Sequence, residues 1–106
     1  MCTTRILASS KKGFINQCTE CNSFKVAFGT TLMNFRVNEY HAFCEQVNDE
    51  VQHINLAINS AIKCIQLEFQ SQPEFSLVLS TFEVKQLNDL IQTANILLSA
   101  YNIINQ

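Results

Sequence analysis

The sequence predicts an α+β domain in which an antiparallel sheet of five to six short strands packs against two helices. Three observations predict it. Large apolar residues alternate with polar ones over several short runs. At two places that period of two gives way to the spacing of a helix. Only Gly13, Gly29 and Pro73 belong to the residue types that break regular structure, which argues for few long loops.

Residues 4 to 8 suit a first short strand, and Lys12-Gly13 marks a turn into Phe14–Cys18. Phe24, Val26 and Phe28 alternate with Lys25 and Ala27, so three large side chains share one face of a strand. Gly29 with Thr30 and Thr31 permits a reversal, after which Met33, Phe35 and Val37 alternate with Asn34 and Arg36. A three-stranded antiparallel meander from about 14 to 36 follows, with turns at 19–22 and 29–31. From Asn38 the period is helical. Tyr40, Phe43, Cys44 and Val47 form the apolar face, Glu39 lies in the first turn, and Val51, Ile54, Ala57 and Ile58 can extend it. Residues 52 to 62 read equally as helix, loop or strand.

Ile65, Leu67 and Phe69 alternate in a further strand, as do Phe75, Leu77 and Leu79, with Pro73 placed in the turn between them. Ser80 followed by Glu83 has the spacing of a capping box. Behind it Val84, Leu87, Leu90, Ile91, Ala94, Leu97, Leu98, Tyr101 and Ile104 make the apolar stripe of a long second helix. The halves echo each other at an offset of 44: Phe35 with Leu79, Glu39 with Glu83, Tyr40 with Val84, Phe43 with Leu87, Val47 with Ile91. The chain therefore reads as one domain, 1–106, containing a duplicated strand-strand-helix unit over about 22–58 and 61–106.

Seven basic and nine acidic side chains give a formal charge of −2, and the basic ones are scattered. That pattern opposes a phosphate-backbone footprint, so no nucleic-acid partner is expected. Asn and Gln supply almost a fifth of the chain. Such a lightly charged surface favours self-association, and a homo-oligomer or another protein is the expected partner. No run approaches the ~20 apolar residues that span a bilayer, and the first residues lack the pattern of a secretory signal. No membrane association and a cytoplasmic location are expected.

Five cysteines in a reducing compartment read as thiols or metal ligands before they read as disulfides. Cys18 and Cys21 form a C-x2-C turn, which presents two sulfurs to one side and suits half of a tetrahedral zinc site. His41 and Cys44, three apart at the start of the first helix, are the first pair to complete it. His53 and Cys64 are equally free to be proposed. A redox dithiol at Cys18 and Cys21 would need a helix N-terminus or a nearby cation, and neither Thr19 nor Glu20 supplies charge of that sign. The remaining alternative is a turn built from two inert cysteines. Asp49-Glu50 reads as a solvated patch rather than a catalytic pair, and Ser9–Gly13 lacks the glycine-rich loop that cradles phosphate.

The stretch "CTECNSFKVAFGTTLMNF" with the following "EYHAF" resembles an uncharacterised family of small bacterial proteins found mainly among the Bacteroidetes. The residues that carry the resemblance are Cys18, Cys21, Phe24, Val26, Phe28, Gly29, Thr30, Leu32 and Phe43. The resemblance implies no activity and brings no catalytic residues. The expected function is that of a non-enzymatic accessory or protein-interaction domain. The alternatives are a zinc-binding or thiol-based regulatory module using Cys18 and Cys21, and a small enzyme.

Overall fold

The computed structural model describes residues 3–54, 61–69 and 72–104. Its elements run β1 (Thr4–Ser9), β2 (Gly13–Cys18), β3 (Phe24–Phe28), β4 (Thr31–Phe35), α1 (Val37–Gln52), β5 (Lys63–Phe69), β6 (Gln72–Ser80) and α2 (Thr81–Ile104). This is the α+β class that the change of period predicts. The six strands divide into two sheets: a four-stranded antiparallel meander in the order β1-β2-β3-β4, and the β5-β6 hairpin. The hairpin meets β4 through side chains. Phe69 packs edge-on to Phe35 with centroids 6.1 Å apart, and the Gln72 amide reaches Asn34 O at 3.5 Å.

Alternation in the sequence becomes two faces of the meander. On the inner face Ala8, Ile15, Val26 and Met33 lie in register across all four strands, and all are buried. Phe24 and Phe35 form the next inner row. Burying each large side chain contributes about 1.5–3 kcal/mol, so this face supplies much of the drive to fold. The helices cover it. Tyr40, Phe43 and Val47 of α1 and Val84, Leu87, Leu90, Ile91 and Ala94 of α2 join the same core. Arg5 on β1 donates to Gln17 Oε1 at 2.6 Å. Its guanidinium also lies over the Tyr101 ring at 3.9 Å, which fastens the later turns of α2 to the sheet edge.

Three sequence expectations are corrected. Val37, expected on the buried face of β4, is the first residue of α1 and is 42% exposed. The Arg36 N–H is taken by Glu39 Oε1 at 2.8 Å, and the Arg36 carbonyl already accepts from Tyr40 N–H, so the helix starts one residue earlier than the period suggests. Pro73 lies within β6 rather than in a turn, near the strand start where a missing N–H is tolerated. Helix α1 ends at Gln52, capped by the His53 N–H on Glu50 O, so Ile54 is not helical. Ala57 and Ile58 fall outside the described residues.

In chain order strand, strand, helix occurs as β3-β4-α1 and as β5-β6-α2. In each, a glutamate three residues past the helix N-cap accepts the N-cap backbone N–H: Glu39 from Arg36 at 2.8 Å and Glu83 from Ser80 at 3.0 Å. The pairs Tyr40 with Val84, Phe43 with Leu87 and Val47 with Ile91 are all buried. Among the described residues no helix is long and apolar enough to cross a membrane.

Candidate functional site

The β2–β3 connection is built by the backbone. Cys18 N–H donates to Ser23 O at 2.9 Å, and Asn22 N–H donates to Cys18 O at 2.9 Å, closing a tight turn. Asn22 takes the left-handed conformation with φ 61, which asparagine tolerates better than most residues. Thr19 ties the turn to the edge strand, because its N–H and its hydroxyl both donate to Thr3 O, at 2.9 and 3.1 Å. Local hydrogen bonding thus fixes where Cys18 and Cys21 stand.

The two cysteines are unlike. Cys18, at the end of β2 and opposite Thr4, is buried and disulfide-bonded. The expectation that all five cysteines are thiols or metal ligands is corrected here. Cys21 is exposed and titrates as a thiol. Its backbone N–H donates to Cys18 Sγ at 3.4 Å, and its own sulfur lies 3.1 Å from Ser23 Oγ. The Ser23 hydroxyl and backbone hold the Cys21 thiol below its ordinary value by hydrogen bonding to the thiolate.

A cavity of about 260 Å³ lies beside this turn on the outer sheet face, lined by Thr4, Asn16, Gln17, Cys18, Ser23 and Lys25. Asn16 and Lys25 are cross-strand partners. The buried Asn16 Oδ1 accepts no hydrogen bond. Neither Thr19 nor Glu20, between the cysteines, supplies a positive charge. Register supplies one, since Lys25 projects to the same face as Asn16 and lines the cavity with Cys18.

The other candidate ligands are placed elsewhere. His41 is exposed on α1, its ring 5.9 Å from that of Tyr40. Cys44 is half-buried between the helices, with the Asn95 amide 3.8 Å from its sulfur, and burial pushes its thiol up. Among the described residues no three His, Cys, Asp or Glu side chains are grouped so that they could hold a metal ion. The quartet Cys18, Cys21, His41 and Cys44 is therefore not assembled. His53 caps the end of α1, with Nδ1 at 2.7 Å from Asp49 O. Cys64, in β5, is exposed.

One feature was not legible in the sequence. A cleft of about 570 Å³ runs along α1, with Phe35, Phe43 and Phe69 at its floor and Glu39, Glu45, Asp49 and Glu68 at its rim. The rings of Phe35 and Phe43 stack at 4.9 Å and those of Phe43 and Phe69 lie 5.7 Å apart. Glu45 and Asp49 are four apart on one helix and announce a shared face, but Glu68 joins them only through tertiary packing.

No curated protein and no solved structure matches the chain. A family model does, over residues 1–104. The chain belongs to DUF6686, a family of unknown function.

Proposed function

We propose that this protein is a small non-enzymatic interaction module that associates with a second copy of itself through the outer face of the four-stranded sheet. The observation that supports this reading is an uncovered apolar row. Phe14, Ala27 and Leu32 lie in register across β2, β3 and β4 on that face, and Leu32 is 53% exposed. Ile6, 62% exposed, stands on the adjoining strand in the row of Asn16, Lys25 and Asn34. Lys25 is the one charged side chain among these. A face of apolar and amide groups with a single lysine meets its own copy with little like-charge cost, which favours a self-complementary, two-fold contact.

The apolar stripe on α2 is buried within the protomer from Val84 to Ala94. The sheet face is what remains. Four strands of about five residues present a planar footprint of roughly 300 Å². That is below the ~800 Å² per partner of a typical stable complex, so the association is weak. Sedimentation over a concentration series tests the reading. The wild type is expected to shift toward dimer at tens to hundreds of micromolar, and Leu32→Glu to stay monomeric with unchanged circular dichroism. A wild type that is monomeric throughout that range defeats the proposal.

A further inference from the structure

The cleft along α1 carries a charge that the rest of the molecule does not share. Four of the nine acidic side chains line it, Glu39, Glu45, Asp49 and Glu68, and none of the seven basic ones does. The formal charge of −2 is therefore −4 in the cleft and +2 elsewhere. Lys63 with Glu83 is the one ion pair among the described residues, and residues 55–60 and 70–71 contain no lysine or arginine. Two of the four acids work against their own helix. Glu45 and Asp49 are like charges one turn apart, and Asp49 stands in the last turn of α1, where the helix dipole favours cations and no basic residue is present.

We propose that this cleft is a docking groove for a basic segment of a partner protein, one that carries arginine or lysine side chains on either side of an apolar residue. Charge complementarity selects that occupant, and three further features refine it. Among the described residues no three His, Cys, Asp or Glu side chains are grouped so that they could hold a metal ion, so the four carboxylates match several separate positive charges rather than one cation. The groove runs along α1 from Asn38 to Asp49, roughly 16 Å of helix, which equals about five residues of extended chain. Its floor is aromatic, and Ala42, small and exposed, leaves room above the rings. An apolar side chain and the aliphatic stems of its basic neighbours can lie there while their charges reach the rim. Helix α1 covers the inner face of the meander, so the groove is separate from the outer sheet face and its use does not depend on self-association.

Local bonds hold the walls of the groove before a partner arrives. Gln46 donates to Glu68 O at 2.8 Å, which sets the end of β5 against α1. Glu39 Oε1 accepts the Arg36 N–H at 2.8 Å, and Glu68 Oε1 accepts from the Gln66 amide at 3.2 Å, so each of these carboxylates is oriented by one bond and keeps a second oxygen as acceptor. Glu45 and Asp49 are exposed. An arginine entering between α1 and β5 meets carboxylates on both walls, and its planar guanidinium is suited to bidentate bonding with them. Concentrated negative charge also speeds the encounter with a basic partner.

Fluorescence anisotropy with a labelled peptide of sequence Arg-Leu-Arg-Arg-Leu-Arg tests the proposal on the full chain. Saturable binding below about 1 mM is expected at low salt, weakening about tenfold or more near 0.5 M salt. The peptide with serine in place of leucine should bind more weakly, because it leaves the aromatic floor uncovered. Glu45→Gln combined with Asp49→Gln should weaken binding about tenfold without lowering the melting temperature, since it removes a like-charge pair and an acid at the helix end. Ala42→Trp keeps all four carboxylates and fills the groove from an exposed helix position, and it should weaken binding to a similar extent. Glu20→Gln, in the β2–β3 turn, should bind like wild type. Circular dichroism verifies that each variant folds, and Glu68→Gln, on the opposite wall, replaces any that does not. The proposal is overturned if the peptide fails to bind below about 1 mM, or if Ala42→Trp binds it like wild type, which would leave only surface charge. It is equally overturned if spermidine binds as tightly as the peptide, which would make a small polyamine the ligand, or if the double variant abolishes self-association, which would make a second copy the occupant.

Discussion

Tyr40 on α1 and Asn95 on α2 join the two helices by a partly buried hydrogen bond, the phenol donating to Asn95 Oδ1 at 2.9 Å. The Tyr40 ring meanwhile lies flat on Phe24 of β3, with centroids 3.9 Å apart and planes 8° from parallel. One side chain therefore links a strand and both helices. Tyr40→Phe keeps the ring contact and removes the hydroxyl, leaving Asn95 Oδ1 without its donor. The expected loss is about 1–2 kcal/mol, read as a fall in melting temperature of roughly 4–15 °C for a domain of this size. An unchanged melting curve would show that the hydroxyl is dispensable.

The same burial gives Tyr40 a pH signature. Desolvation raises its pKa well above the ordinary phenol range, with the neighbouring Cys44 adding to the shift. In the unfolded chain the phenol ionises above about pH 10, while in the folded state it stays neutral. Stability from Tyr40 is therefore full below that pH and declines as pH rises through it, by at most about 1.4 kcal/mol per pH unit. Wild type should lose more stability than Tyr40→Phe between pH 9 and 11. Denaturant titrations at several pH values compare them, and parallel declines would count against the assignment.

The start of α2 carries a complete capping box. Ser80 Oγ accepts Glu83 N–H at 3.1 Å and Glu83 Oε1 accepts Ser80 N–H at 3.0 Å, while Lys63 pairs with the same carboxylate. Ser80→Ala removes one half of the box and should cost about 1 kcal/mol at any pH from 5 to 8. Glu83→Gln separates the other contributions, because glutamine can still serve the cap while losing the ion pair. The Lys63 hydrogen bond holds the Glu83 carboxyl below its usual range, so its stabilisation is present above about pH 4.3 and is lost as pH falls below that. Glu83→Gln should lower stability by about 0.5 kcal/mol at neutral pH, given the exposure of Lys63, and the difference should vanish near pH 3. A gap that persists in acid would assign the effect to packing.

How much of this was legible in the sequence depends on the range of the interaction. Phe24, Val26 and Phe28 report their strand by alternation alone, and Ser80 with Glu83 report their helix start by spacing alone. Both signals are local. Arg36 concealed the start of α1 because arginine has no acceptor to offer a capping box, although Glu39 performs its half as Glu83 does. The division into two sheets depends on Phe69 meeting Phe35 through side chains rather than backbone, and no periodicity encodes that choice. At the candidate site, the C-x2-C spacing singled out the β2–β3 turn, but not what surrounds it in space. His41 and Cys44 share a helix face with each other, and Cys44 is turned to Asn95. Lys25 follows the pair in sequence, but its place beside Cys18 is set by cross-strand register with Asn16.

Gly13 and Gly29 make the last prediction, because the sequence presents both as turn residues and the structure treats them differently. Gly13 begins β2 opposite Phe28, and a Cβ there would fall 1.9 Å from Ala27 O and 2.8 Å from Ala27 C. Those are backbone atoms of the adjacent strand, so relief requires β2 and β3 to part. Gly29 has φ +61 and open space around it, so an added methyl meets no atom within 4 Å and costs only the strain of a left-handed residue. Gly29→Ala should lose about 1–2 kcal/mol and fold normally. Gly13→Ala should lose more than about 3 kcal/mol or fail to accumulate as folded protein, since overpacking against a fixed backbone has no easy relaxation. Chemical denaturation of the two variants side by side reads the difference. Equal losses would mean that the β2–β3 pairing at Gly13 is looser than the register Gly13 to Phe28 requires.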